Sequence, residues 1–356
     1  MTRLEERYRR VLRLLPASYR DVWEEDMVTT YLASVDTGDP DEVEYAADYG
    51  RPSWSEVASI VALAVRLRIG SAGAPPRYAV WSEAVRLAAL AGMLVYAAAS
   101  MVGLAMTLWL AGLIPLAPAS PMPEPPGYPD AWHRVFLLGG LAGLLWLPAY
   151  LSFVLGRWAA GRWLVSVAAA AGVLSAVATV VVTHQPTTGE FWYHLLINAL
   201  LVMALAAFHR GAAPVPRGSW LAALGVGTAV VTGHWLLLQP STTLPPLDWA
   251  GFWCVVLVGA AAAYLAGRGL GWQGRSAWAP GLAILAFTVL GLRAVTLLDY
   301  VRFGSAGWHP VTVPLGIVEA VAVLAAAVSL TLLSARTLRR LPASGTDATS
   351  WSTPIP

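Results

Sequence analysis

From Ala84 to Ser334 the apolar residues gather into eight long runs, at about 84–114, 135–155, 163–183, 192–209, 219–239, 250–267, 279–299 and 310–334, separated by short polar connections. These lengths match the roughly 17–25 residues that an α-helix needs to cross the hydrocarbon of a bilayer. Backbone that faces lipid must satisfy its own hydrogen bonds, which leaves helices as the reading of runs this long. The pattern predicts an all-α polytopic membrane protein with eight transmembrane helices arranged as four tandem hairpins.

Ahead of the runs the apolar positions change to a helical stripe. Thr2 and Glu5 form a capping box before Leu4, Tyr8, Val11, Leu12 and Leu15, and Pro16 ends that helix. Ser18 caps a second, with Val22, Met27, Tyr31 and Leu32 available for burial. A turn-rich stretch from Gly38 to Gly50 follows, in which Asp39-Pro40 can start one extra turn. Ser53 and Glu56 open a third helix to Arg68 that is apolar almost all round. Its stretch from Val57 to Val65 is too short to cross a bilayer, so it packs back on the first two helices or lies on the membrane surface. The expected organisation is a small cytoplasmic helical domain over 1–69, a linker over 70–82, the membrane domain over 83–335 and a disordered cytoplasmic tail over 336–356.

Composition agrees: 57% of residues are hydrophobic, 12% are charged and mean hydropathy is +0.60, so the main solvent of this chain is lipid. The N-terminus is charged in both signs and the first long run starts only near Ala84, so no cleavable signal peptide is expected and the first span stays as an anchor. The single cysteine, Cys254, rules out an intrachain disulfide and a Cys-based metal site. Residues 1–80 hold more acids than arginines, which argues against nucleic acid as a partner of the polar part.

Charge also gives orientation. Arg157, Arg162, Arg210, Arg217, Arg268 and Arg275 occupy the connections after the second, fourth and sixth runs, and Arg336, Arg339 and Arg340 follow the eighth. The opposite connections carry Glu124, Asp130, Glu190, Asp248 and Asp299 against only Arg134 and Arg302. By the positive-inside rule both termini are cytoplasmic, in a bacterial inner membrane. Trp132, Trp192, Trp249 and Trp308 mark the outer boundary, and Trp81, Trp163, Trp220 and Trp278 the inner one. Trp163, Trp220 and Trp278 recur at near-equal intervals, which fits either a duplicated hairpin or the ordinary recurrence of interfacial tryptophan.

The string from Leu4 to Pro16, with Tyr19-Arg20, Trp23 to Met27 and Arg51-Pro52-Ser53, resembles the short helical prefix of actinobacterial polytopic membrane proteins. That prefix is known as a permease-prefix or HAAS-like domain, after its association with PadR-type regulators. The resemblance covers about the first 70 residues and none of the spans. It implies a cytoplasmic protein-interaction module, with a regulator or an ATPase as the partner, and brings no catalytic residues.

Chemistry in the spans is sought among ionisable groups, because a charge at mid-helix costs about 2.5–3.5 kcal/mol on insertion scales. Arg293 and Glu319 sit about 9 and 13 Å below the outer boundary at 1.5 Å per residue, which puts them at matching depth on adjacent helices. They are expected to pair, whether as a packing pair or on a route for ions or protons. His234, His194 and Asn198 fall in the same outer third, and the five predicted site residues form one intramembrane polar cluster in this reading. Five histidines (His133, His184, His194, His234 and His309) lie at or beyond the outer boundary, without metal-ligand spacing. No metal and no cofactor are expected.

No glycine-rich phosphate loop is present, which excludes a nucleotide-driven pump within this chain but leaves open a permease subunit with an ATPase partner. No hydrolase motif is present either, so an enzyme is not expected. Two main readings stand: a signalling or scaffold protein whose prefix binds a partner, and a transporter or permease subunit for a small solute or ion. An intramembrane enzyme is the third.

Overall fold

The structure, a computed structural model, describes residues 2–35, 39–68, 76–110, 140–183, 187–208, 214–237, 248–271, 276–303 and 312–341. Among them every regular element is a helix. The expected outer loop 115–129, the histidines His133, His184 and His309, and tail residues 342–356 lie outside the described residues. The chain divides into two compact units, Met1–Glu83 with Ala335–Pro356, and Ala84–Ser334.

The N-terminal unit holds α1 (Arg3–Leu12), α2 (Ala17–Val35), α3 (Pro40–Tyr49) and α4 (Trp54–Arg68). Thr2 caps α1 by accepting from the Glu5 N–H at 3.2 Å, and Ser53 caps α4 through the Glu56 N–H, also at 3.2 Å. The stretch read as turns contains a full helix, α3. Pro40 stands at its first position, where proline's fixed φ favours a helix and its missing N–H costs nothing.

The core of this unit joins Tyr8, Leu12 and Leu15 to Val28 of α2 and to Ile60, Ala64 and Leu67 of α4. These last three recur at helical spacing, so α4 turns one stripe inward and packs on α1 and α2. Tyr8 and Tyr31 stack with ring centroids 4.0 Å apart, and the Tyr8 hydroxyl points to Glu56 Oε1 at 3.4 Å. Burial, helped by Glu56, pushes the Tyr8 hydroxyl up to about 12. Arg9 clamps the surface of α1 to α2, 3.0 Å from Glu5 and 2.7 Å from Glu25.

The remaining helices are α5 (Pro76–Leu110), α6 (Trp146–Val154), α7 (Trp158–Thr183), α8 (Gly189–Ala204), α9 (Arg217–Leu237), α10 (Trp249–Gly269), α11 (Trp278–Phe303) and α12 (Thr312–Arg339). Six of the described helices are long and apolar enough to cross a membrane: α5, α7, α8, α10, α11 and α12. The expected spans at 135–155 and 219–239 are not among these six. The first lies partly outside the described residues, and its described part is a short apolar helix, Gly140–Val154. The second corresponds to α9, in which Gly225, Gly227, Thr228, Thr232, Gly233 and His234 dilute the apolar content.

Two boundaries also differ from the sequence reading. Residues 76–82, expected as linker, are the start of α5, with Pro76 again at a helix start, and α12 continues to Arg339. Leu174, Val226, Leu298, Val301, Val318 and Val321 are exposed along the long helices. So many large apolar side chains on helix exteriors fit a lipid surround and would be an aggregation hazard in water.

Packing in the membrane unit rests on small and aromatic residues. One cluster joins Leu90, Met93 and Ala97 of α5 to Trp146, Tyr150 and Phe153 of α6 and Val165 and Ala168 of α7. Two others join α10, α11 and α12 through Cys254, Leu257, Ala261, Ala283, Ala286, Val323, Ala327 and Leu330. Alanine at so many contact points lets helix backbones approach closely, which is the main source of attraction where lipid removes the hydrophobic drive.

Candidate functional site

Arg293 of α11 is 1% exposed and is the largest of the fully buried side chains among the described residues. Its Nη1 donates to Asp248 Oδ2 at 2.5 Å, its Nη2 lies 2.8 Å from Glu319 Oε2, and its Nε donates to the Gly316 carbonyl at 3.4 Å. The contact with Glu319 is one of charge, since the geometry leaves Oε2 without an aligned hydrogen bond. Glu319 is itself only 8% exposed. Removal of two ions from water is costly, and mutual attraction offsets it only where such short contacts are available.

The elements explain how three charged groups meet. Asp248 is the N-cap of α10, and its Oδ1 accepts from the Gly251 N–H at 2.6 Å. Its other oxygen is thereby turned toward α11, where it takes both Arg293 and the Tyr300 hydroxyl. Arg293 and Tyr300 are seven residues apart, two helical turns, and so share a face. Glycine makes the room. A Cβ on Gly316 would overlap the Arg293 guanidinium, and one on Gly251 would stand 2.8 Å from both carboxylate oxygens of Glu319. The centre thus has one guanidinium against two carboxyl groups, with one tyrosine hydroxyl.

Asp299 does not join it. Its carboxylate turns to the start of α8, accepting from the N–H groups of Gly189 and Glu190 at 2.8 and 2.9 Å, while Thr188 accepts from the Phe191 N–H at 3.2 Å. Three orphan donors of that helix end are satisfied in this way.

The other sequence-predicted residues lie apart from Arg293 and Glu319. His234 of α9 is 2% exposed and stacks on Phe252 at a centroid distance of 4.1 Å, with Trp249 5.3 Å away, and its Nε2 has no partner. His194 faces Glu190 one turn away, 3.4 Å from Nε2 to Oε1. Asn198 donates from Nδ2 to the His194 carbonyl at 2.9 Å. His194 and Asn198 line a cavity that neither Arg293 nor Glu319 touches. The structure joins Arg293 to Glu319 and His194 to Asn198, and holds His234 by aromatic contacts of its own within range of the Asp248 charge. Among the described residues, no group of three or more His, Cys, Asp or Glu is placed to hold a metal ion.

Asp248 and Tyr300 are the members of the charged centre that sequence reasoning missed. The available signal was the position of Asp248 directly before Trp249 at the start of an apolar run, which is an N-cap position.

The N-terminal unit carries a site of another kind. A groove of about 790 Å³ lies between the start of α4 and one side of α1, with Arg7, Arg10 and Arg51 around a floor of Val11, Leu14 and Val57. Trp54, also in its lining, is 88% exposed. Arg7 is held in place by the Gly50 carbonyl at 2.5 Å, whereas Arg10 pairs only with Glu6 on the open surface of α1.

No family model, no curated protein and no solved structure matches this chain.

Proposed function

We propose that this chain is a multi-pass cell-membrane protein of the signalling or scaffold type, whose N-terminal unit docks a cytoplasmic protein partner through an acidic segment of that partner. The observation that carries this reading is the groove, where three arginines surround an apolar floor beside an almost fully exposed Trp54. Arginine and tryptophan are the side chains on which interface energy concentrates, and the guanidinium fork matches carboxylates in two-point contact. The resemblance of this segment to a permease-prefix domain supports the same use.

The membrane unit supports anchoring over transport. A transport path would need its charged group hydrated in turn from each side, and Arg293 is 1% exposed with its nitrogens occupied by Asp248, Gly316 and Glu319. In the proposed topology α9 and the segment containing α6 complete eight crossings in four hairpins, with both termini in the cytoplasm. Tags at Met1 and Pro356 are then expected to report cytoplasm and a tag near Pro125 the outside. Protease access to either terminus in intact cells would overturn that orientation.

The docking role is tested by capturing the solubilised full-length protein from its native membrane, wild type beside the Arg10→Glu, Arg51→Glu double variant. One or more proteins should accompany the wild type and be depleted about tenfold or more with the variant, since each reversed charge turns an attraction into a repulsion. A regulator among them supports signalling, and an ATPase supports a permease subunit. Identical companions for both forms would refute the groove as the docking site.

A further inference from the structure

Three arginines of the membrane unit gather at the turn between α6 and α7. The turn is tight because α6 is capped at Leu155 and Gly156 takes a φ of +80°, after which the Arg157 N–H closes the helix end on the Ser152 carbonyl at 2.7 Å. Arg157 thus stands at a fixed corner with an exposed side chain, directly before Trp158 opens α7. Arg217, the first residue of α9, donates to the Leu155 carbonyl at 3.5 Å. Arg162 of α7 donates to the Phe208 carbonyl, and the Phe208 ring centroid lies 4.6 Å from that of Phe153 and 5.5 Å from that of Trp158. Each of these tethers uses one of the five N–H donors of a guanidinium, which holds the charge in place and leaves donors for a phosphate. Arg86, 7% exposed, adds positive charge against the same rings, 5.4 Å from the centroids of both Trp158 and Phe208.

The protein supplies no counter-charge here. The four carboxylates described in Ala84–Ser334 are engaged elsewhere: Asp248 and Glu319 with Arg293, Asp299 with the start of α8, and Glu190 beside His194. Among the described residues Arg157, Arg162 and Arg217 meet no carboxylate.

A face of α7 that begins at this corner gives the anion its chemistry. Trp163, Ser166, Ala170, Leu174, Val177 and Val181 are all exposed and follow at three- and four-residue steps, so they form one stripe along the helix. Trp163 and Leu174 are 67% and 71% exposed, and only the small Ser166 and Ala170 of the stripe stand between them. At 1.5 Å per residue that interval is about 16 Å, close to half of the roughly 30 Å hydrocarbon core and so to the depth of one leaflet. Tryptophan suits the level where headgroups meet hydrocarbon, and basic sites at that level recognise anionic headgroups. We infer that the α6–α7 corner binds a lipid with an anionic phosphate headgroup, which Arg157, Arg162 and Arg217 hold while an acyl chain lies along the stripe of α7. A free anion would use the arginines and leave the stripe without a role.

The test reconstitutes the full-length protein in phosphatidylcholine bilayers with a trace of phosphatidylglycerol that carries a diazirine midway along one chain. Labelling is expected within residues 163–181, and a phosphatidylcholine probe with the same chain should label there about tenfold less. Arg157→Gln with Arg162→Gln should lower the phosphatidylglycerol labelling by about tenfold or more, since one arginine at a membrane surface contributes about a fivefold preference. Arg157→Gln alone has no side-chain hydrogen bond to lose and should lower it about fivefold, which serves if loss of the Arg162 tether reduces the amount of folded protein. Arg268→Gln with Arg339→Gln, at the ends of α10 and α12, should leave labelling unchanged. Equal labelling by the two probes, or unchanged labelling in Arg157→Gln, would overturn the headgroup site. An equal loss in the variant of α10 and α12 would trace the preference to overall surface charge and overturn it as well. Displacement of the probe by millimolar inorganic phosphate would show that the anion alone suffices and would overturn the lipid.

Discussion

Arg293→Leu is expected to lower the stability of the solubilised protein by about 3–5 kcal/mol, the usual cost of removing one partner from a buried ion pair. The loss is large because two carboxyl groups, Asp248 and Glu319, remain in the same dry space without their cation. Glu319→Gln should behave differently and cost on the order of 1 kcal/mol, since Arg293 and Asp248 then form a balanced pair and only the weaker contact is altered. Asp248→Asn should lie between them, as it weakens the α10 cap and both side-chain contacts at once. Combining Arg293→Leu with Glu319→Gln should recover part of the loss, and adding Asp248→Asn should recover more, because the penalty comes from stranded charge. Thermal melts of the five variants check the order. Equal losses for Arg293→Leu and Glu319→Gln would show that Asp248 does not share the cation.

Leu12→Ala is expected to open the N-terminal unit. Leu12 is fully buried where α1, α2 and α4 meet, and truncation of such a leucine costs about 2–5 kcal/mol. A helical unit this small has little stability in reserve. Hydrogen exchange across residues 3–68 of the full-length protein should rise to that of a loop, while exchange in α10, α11 and α12 stays slow. Leu14→Ala, at an exposed position on the groove side, should leave exchange unchanged. If the two variants exchange alike, Leu12 is not the centre of this core.

The sequence made helix content and the pairing of Arg293 with Glu319 legible, because apolar run length and the relative level of two residues on adjacent helices depend only on rise per residue. What it could not provide was the rotation of one helix against the next. Asp248 reads as a loop acid at a membrane boundary until α10 and α11 are in register, and only then does its second oxygen face Arg293. Position along a helix says nothing of azimuth, and the helix of His234 turns it to Phe252 and Trp249. The same limit applies to α4. Its apolar character is nearly uniform in sequence, and only tertiary packing chooses Ile60, Ala64 and Leu67 as the buried stripe and leaves Trp54 outside. Gly251 and Gly316 gave no signal at all, since a glycine in an apolar helix is common and its use depends on what approaches it.

The start of α8 is completed by a residue made much later. Asp299 reaches the Gly189 and Glu190 N–H groups across 110 and 109 positions, and Tyr193 of the same helix rests on Gly291 and hydrogen-bonds the Thr288 carbonyl. Until α11 is made, these two amides of α8 have no Asp299 carboxylate to accept from them. A chain truncated before Asp299 would lack the carboxylate that caps α8, and the first turn of that helix is expected to fray.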